Sequence, residues 1–63
     1  MLQYTEFNYE ELESFVGKQN LNKTAQGYVQ LLTKDGVVYI EPYNWVGYIS
    51  GQWHVFSEQK PEL

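Results

Sequence analysis

The sequence predicts a small α+β domain: one short helix packed on a small antiparallel sheet of two consecutive β-hairpins, with an additional N-terminal strand. Three observations carry this. The stretch Tyr28–Phe56 holds both tryptophans, four of the six tyrosines and the one histidine, and its apolar runs are rich in the β-branched and aromatic side chains that suit a pleated sheet. Two glycine-bearing pairs, Asp35-Gly36 and Ser50-Gly51, interrupt those runs where hairpin turns need residues that accept positive φ. Ahead of them, Asn8 to Gly17 carries the start and stop signals of a helix.

Met1 to Thr5 predicts a short strand with Leu2 and Tyr4 on one face. Asn8 followed three positions later by Glu11 has the pattern of a capping box, and Glu10 and Glu11 place negative charge at the positive end of the helix dipole. Phe7 and Leu12 are spaced for a hydrophobic staple across that cap. Leu12, Phe15 and Val16 then form one apolar stripe at i, i+3, i+4, and Gly17 is the expected C-terminal stop. The helix is expected over residues 9–16, and its glutamates read as caps and a solvated face. Lys18 to Gly27 is polar and contains Asn20 and Asn22, so it reads as a connection, with Lys18 and Lys23 available to an anion.

A two-residue loop at Asp35-Gly36 would pair Lys34 with Val37, Leu32 with Tyr39 and Leu31 with Ile40. Val29, Leu31, Val38 and Ile40 would then face the core, leaving Gln30, Leu32, Val37, Tyr39 and Glu41 on the other side. Pro42-Tyr43-Asn44 turns the chain, because proline cannot continue a central strand. In the second hairpin, a loop at Ser50-Gly51 sets Tyr48 against Trp53, Val46 against Val55 and Gly47 against His54. That register suggests an open patch beside the His54 imidazole. Both faces of this hairpin are apolar or aromatic, which one short helix cannot cover, so a spare face is expected to meet a subunit, a ligand or another protein. The polar end of the chain, with Pro61, predicts a frayed tail over residues 58–63.

A chain of 63 residues has room for one domain and is marginal in stability on its own. It has no cysteine, which removes disulfides and thiolate zinc sites, and its one histidine is too few for a structural metal site. Self-association into a homo-oligomer is therefore the expected source of extra stability. Four basic against eight acidic residues give a net charge of −4, the wrong sign for a protein that tracks nucleic-acid phosphates. No apolar run approaches the ~20 residues of a membrane span, and no basic-then-apolar leader opens the chain. The sequence thus predicts no membrane association and a cytoplasmic protein.

Gln3-Tyr4-Thr5, Asn8, Glu10-Glu11-Leu12 and Phe15-Val16-Gly17, followed by Thr33, Asp35-Gly36, Pro42, Asn44-Trp45 and Gly51, resemble a set of short phage and prophage proteins of unassigned function. The likeness covers most of the chain and consists of folding signals. Tyr43 stands where that set has glycine, Asn44 where it has aspartate, and the second hairpin is shorter. The resemblance implies a phage origin, hence the cytoplasm of an infected host cell; it implies no reaction.

The residues carry no catalytic pattern. Ser50 and Ser57 lie near His54 in sequence without an elbow to present either, and there is no phosphate-binding loop or His-x-x-x-His pair. No enzyme activity, cofactor or metal is expected. The surplus of aromatic side chains, 17% of the chain, instead suits stacking on a nucleobase or anchoring a protein interface. In the first reading the protein sequesters a nucleotide-derived immune signal in a pocket at a subunit interface. Trp45, Trp53, Tyr39 or Tyr48 would stack on the base, His54 and Lys34 would meet phosphate, and Asn44 would read a ribose or base edge. On that reading, loss of the Trp53 or Trp45 ring abolishes ligand binding while the oligomer persists. In the second reading it is an acidic, protein-directed inhibitor of a host enzyme or nucleic-acid-binding factor. A virion accessory protein is a third.

Overall fold

A computed structural model describes residues 1–57. The elements run β1 (Leu2–Gln3), α1 (Tyr9–Val16), a 3-10 turn (Lys18–Asn20), β2 (Leu21–Lys23), β3 (Val29–Thr33), β4 (Gly36–Ile40), β5 (Trp45–Ile49) and β6 (Gln52–Phe56). The α+β class is as predicted, with one helix and antiparallel strands. The strands, however, form two sheets of three, ordered β1-β5-β6 and β2-β3-β4, so the two hairpins do not share one sheet. The cause lies in the link between them. Tyr43 has φ 70°, the Asn44 side-chain oxygen accepts from the Glu41 amide at 2.9 Å, and the Tyr4 amide donates to the Asn44 carbonyl. This tight turn aims β5 at β1 rather than back at β4.

Both sheets and the helix meet in one core: Tyr4, Leu12, Val16, Leu21, Val29, Leu31, Ile40 and Val46. The helix has the predicted bounds because its signals are local, but its cap differs. Asn8 makes no side-chain bond to the helix amides. Its Oδ1 instead accepts from the Thr5 amide at 2.8 Å and the Thr5 hydroxyl at 3.2 Å, while Nδ2 donates to the Gln3 carbonyl and to Glu11. The adjacent strand end offered Asn8 more partners than the helix terminus did. The staple also fails: Glu6 at φ 76° turns the chain so that Phe7 is 92% exposed. Leu12 and Val16 are buried as the stripe predicts, whereas Phe15 sits at the rim, edge-on to Trp53.

Residues 18–27 contain a strand that the sequence did not announce. β2 pairs with β3, Leu21 opposite Leu31 and Lys23 opposite Val29. A short polar strand on a sheet edge has no alternating apolar pattern to betray it; only Leu21, which is buried, marks it. In the next hairpin the loop is Lys34-Asp35, not Asp35-Gly36. Thr33 pairs with Gly36, Leu31 with Val38 and Val29 with Ile40. The Thr33 hydroxyl donates to the Gly36 carbonyl and accepts from the Asp35 amide, locking the loop one residue earlier, and the positive φ falls on Gly36 at 125°. The shift moves each partner by two residues, so every side chain keeps its predicted face. Val38 is on the core side as expected yet stays 40% exposed, because β4 is an edge strand.

The β5–β6 hairpin has the predicted register in full, from Trp45 opposite Phe56 to Ile49 opposite Gln52. Ser50 and Gly51 have φ 54° and 79°, the pair of left-handed residues that a two-residue hairpin loop demands. The predicted tail over residues 58–63 lies outside the described residues.

Candidate functional site

The predicted site residues fall in four places. Lys34, Tyr48 and Trp53 line a small cleft of about 210 Å³, together with Asn20, Leu32, Thr33, Gly51 and Gln52, where the tips of the two hairpins meet. Tyr39 lines a different cleft. Trp45 and His54 lie across β5–β6 from Tyr48 and Trp53, because side chains alternate between faces and the pairs Gly47–His54 and Tyr48–Trp53 are consecutive. His54 stacks on Phe56 at 6.1 Å between centroids. Asn44 has its side-chain oxygen engaged in the β4–β5 turn. The seven residues therefore do not converge on one pocket.

The open patch predicted beside His54 is filled. A Cβ built on Gly47 would meet Met1, with Cε at 3.0 Å and Cγ at 3.4 Å. Gly47 makes room for the Met1 side chain, not for a ligand. What the Cβ meets is the far end of a flexible chain, and Gly47 has an ordinary backbone conformation. Gly47→Ala is therefore expected to change stability by no more than about 1 kcal/mol, since the methyl displaces a mobile tip and the strand gains from losing a glycine. Urea unfolding of the variant checks this.

The larger cleft, about 670 Å³, is one that sequence reasoning missed. Tyr4 and Glu6 reach it from the end of β1, Gln26, Gly27 and Tyr28 from the β2–β3 turn, and Tyr39, Ile40, Glu41 and Pro42 from the end of β4. The β2–β3 turn is held by the Thr24 amide donating to the Tyr28 carbonyl and the Gly27 amide donating to the Thr24 carbonyl. Tyr28 and Tyr39 stand edge to face, with centroids 6.1 Å apart and planes at 84°, forming a corner. The Tyr39 hydroxyl accepts from Gln30 Nε2 at 3.3 Å. The Tyr4 ring is buried at the back, and its hydroxyl is held above the ordinary 10.0 by that burial first and by the negative charge of Glu6 second. No spacing could have signalled this cleft, since its walls come from segments brought together only by the strand pairing.

The chain matches no family model, no curated protein and no solved structure. Its site is thus read from its own chemistry. Among the described residues no group of three or more His, Cys, Asp or Glu side chains is placed to hold a metal ion. No helix among them is long and apolar enough to cross a membrane. The larger cleft offers two carboxylates, three phenol rings and no basic side chain. Such a lining attracts cations and repels phosphates. The smaller cleft has the opposite bias, with Lys34 as its one charged residue.

Proposed function

We propose that the protein acts by binding a basic protein partner, as an acidic, protein-directed inhibitor of a host enzyme or nucleic-acid-binding factor. The observation that carries this reading is the charge of the larger cleft: Glu6 and Glu41 with Tyr4, Tyr28 and Tyr39, and no cation among its lining residues. Its volume of about 670 Å³ is within the range of roughly 300–1,000 Å³ usual for occupied sites. Exposed Glu10 and Glu11 on α1 extend the negative surface. The resemblance to phage proteins supplies the host as the place to look for the partner.

Sequestration of a nucleotide-derived signal is the second reading, favoured by one observation: Lys34 lies in the same small cleft as Tyr48 and Trp53. A ring to stack on and a cation for phosphate are what a nucleotide needs. At about 210 Å³ that cleft is below the usual range, so this reading requires a second protomer to complete it.

Calorimetry on the full chain separates the two. A Lys/Arg-rich peptide is expected to bind, with affinity falling as salt rises from low to physiological strength. Cyclic dinucleotides and ADP-ribose derivatives are expected to give no heat. Binding of a nucleotide without binding of the basic peptide reverses the order of the readings.

A further inference from the structure

We infer that the larger cleft is a receptor for a single arginine side chain of the partner protein, with the guanidinium seated against the Tyr28–Tyr39 corner and bridged to Glu6 and Glu41. The inference rests on the reading of a basic partner and names the group recognised.

Three independent features lead there. The first is charge. Of the described lysines, Lys18 and Lys34 lie outside this cleft, and Lys23 sits over the Tyr9 ring at 5.2 Å. The side-chain carboxylates of Glu6 and Glu41 have no hydrogen-bond or ion-pair partner among the described residues, so both are available to an incoming cation. The second is shape. Two rings at 84° give a planar cation one face to stack on and one edge to abut. Guanidinium is planar, weakly hydrated and forked, so it stacks on a ring while donating in its own plane to carboxylates. An ammonium, compact and strongly hydrated, exploits only the charge.

The third is an unpartnered polar group. Tyr4 is 4% exposed, yet its hydroxyl makes no hydrogen bond among the described residues. Among the described residues no buried side-chain polar atom is left unsatisfied, so this oxygen is within reach of solvent, and Tyr4 is one of the residues that line the cleft. A phenol in the wall of a cleft, with its ring buried and its oxygen unpaired, can accept a hydrogen bond from a guest. A guanidinium has donors to spare once two carboxylates are satisfied. Tyr28 and Tyr39 are 62% and 56% exposed, so the rings that would cover the guest cost solvation of apolar surface while the site is empty.

The test is an amide NMR titration of the full chain with Nα-acetyl-arginine amide, run beside its citrulline and lysine counterparts. Saturating shifts centred on Tyr4, Glu6, Tyr28, Tyr39 and Glu41 are expected with arginine. Citrulline, which keeps the shape and loses the charge, is expected to bind at least about ten-fold more weakly, and lysine several-fold more weakly. The exposed double variant Glu6→Gln, Glu41→Gln, and separately Tyr28→Ala, should each weaken arginine by several-fold to ten-fold with an otherwise unchanged spectrum. Shifts that map to Glu10, Glu11 and Glu13 instead, or no shifts at all, overturn the arginine site. Equal binding of lysine overturns the guanidinium assignment. If the Lys/Arg-rich peptide still binds while arginine gives no shifts in the cleft, the site is wrong and the basic partner stands; if neither binds, both fall.

Discussion

Leu31→Ala is expected to leave the protein largely unfolded at room temperature, or to lower its melting temperature by tens of degrees. Leu31 is fully buried in the middle of β3, the central strand of its sheet, with Leu21 across one ladder and Val38 across the other. Among the described residues it is one of three side chains, with Leu12 and Val46, that no solvent reaches. Truncating a buried leucine costs about 2–5 kcal/mol, because the lost transfer energy is joined by a cavity that its neighbours only partly fill. A chain of this length has a total stability of only about 3–9 kcal/mol. The substitution therefore removes from about a fifth to all of it. The matched control is Leu32→Ala, the next residue, which is 39% exposed on the opposite face and should stay within roughly 1 kcal/mol of the parent. Circular dichroism melts of the two variants compare one face of β3 with the other. Equal losses would falsify the face assignment.

That contrast also marks what the sequence could disclose. The face of each residue in β3 and β4 follows from alternation, so it was legible even though the loop was placed one residue late. Alternation has a period of two, and the shift moved partners by two. The β5–β6 register was legible outright, because Ser50-Gly51 is a turn that sets its own geometry. The helix was legible for the same reason, since Glu10, Glu11 and Gly17 act within a turn of its ends. Illegible were the features decided by partners distant in sequence. β2 carries one apolar side chain and forms only because β3 offers it a ladder. Asn8 turned from its helix to the end of β1. Phe7 lost its staple to the positive φ of the residue before it. The acidic cleft is of this kind throughout: Glu6, Tyr28 and Glu41 mean nothing together until β1, the β2–β3 turn and the end of β4 have been brought to one place. Aromatic counting pointed to the tryptophans, whereas the cleft with the clearest chemical bias is built from tyrosines and glutamates.

Trp53 shows why that distinction matters for any assay. Its ring lies edge-on to Phe15 of α1 at 5.5 Å and edge-on to Tyr48 of β5 at 5.0 Å, and it packs against the core. It is thus the ring that ties the helix to the β1-β5-β6 sheet. Trp53→Ala is expected to cost about 2–4 kcal/mol, somewhat under the 3–5 kcal/mol typical of a wholly buried aromatic because the residue is half-buried. About 0.5–1.5 kcal/mol of that comes from each edge-to-face pair. Trp53→Phe keeps an aromatic ring at the junction and should cost no more than about 1.5 kcal/mol. Thermal melts of the two variants decide this, and the interpretation of binding data follows from them. If Trp53→Ala melts far below the parent while Trp53→Phe stays close, a loss of binding in the alanine variant reports a loosened fold. If instead Trp53→Ala melts like the parent and loses a nucleotide ligand, the ring is free for stacking and the small cleft beside Lys34 becomes the site. Tyr28 and Tyr39 carry no such ambiguity. Exposed as they are, they can be removed without opening the core, so the larger cleft can be tested at the level of binding alone.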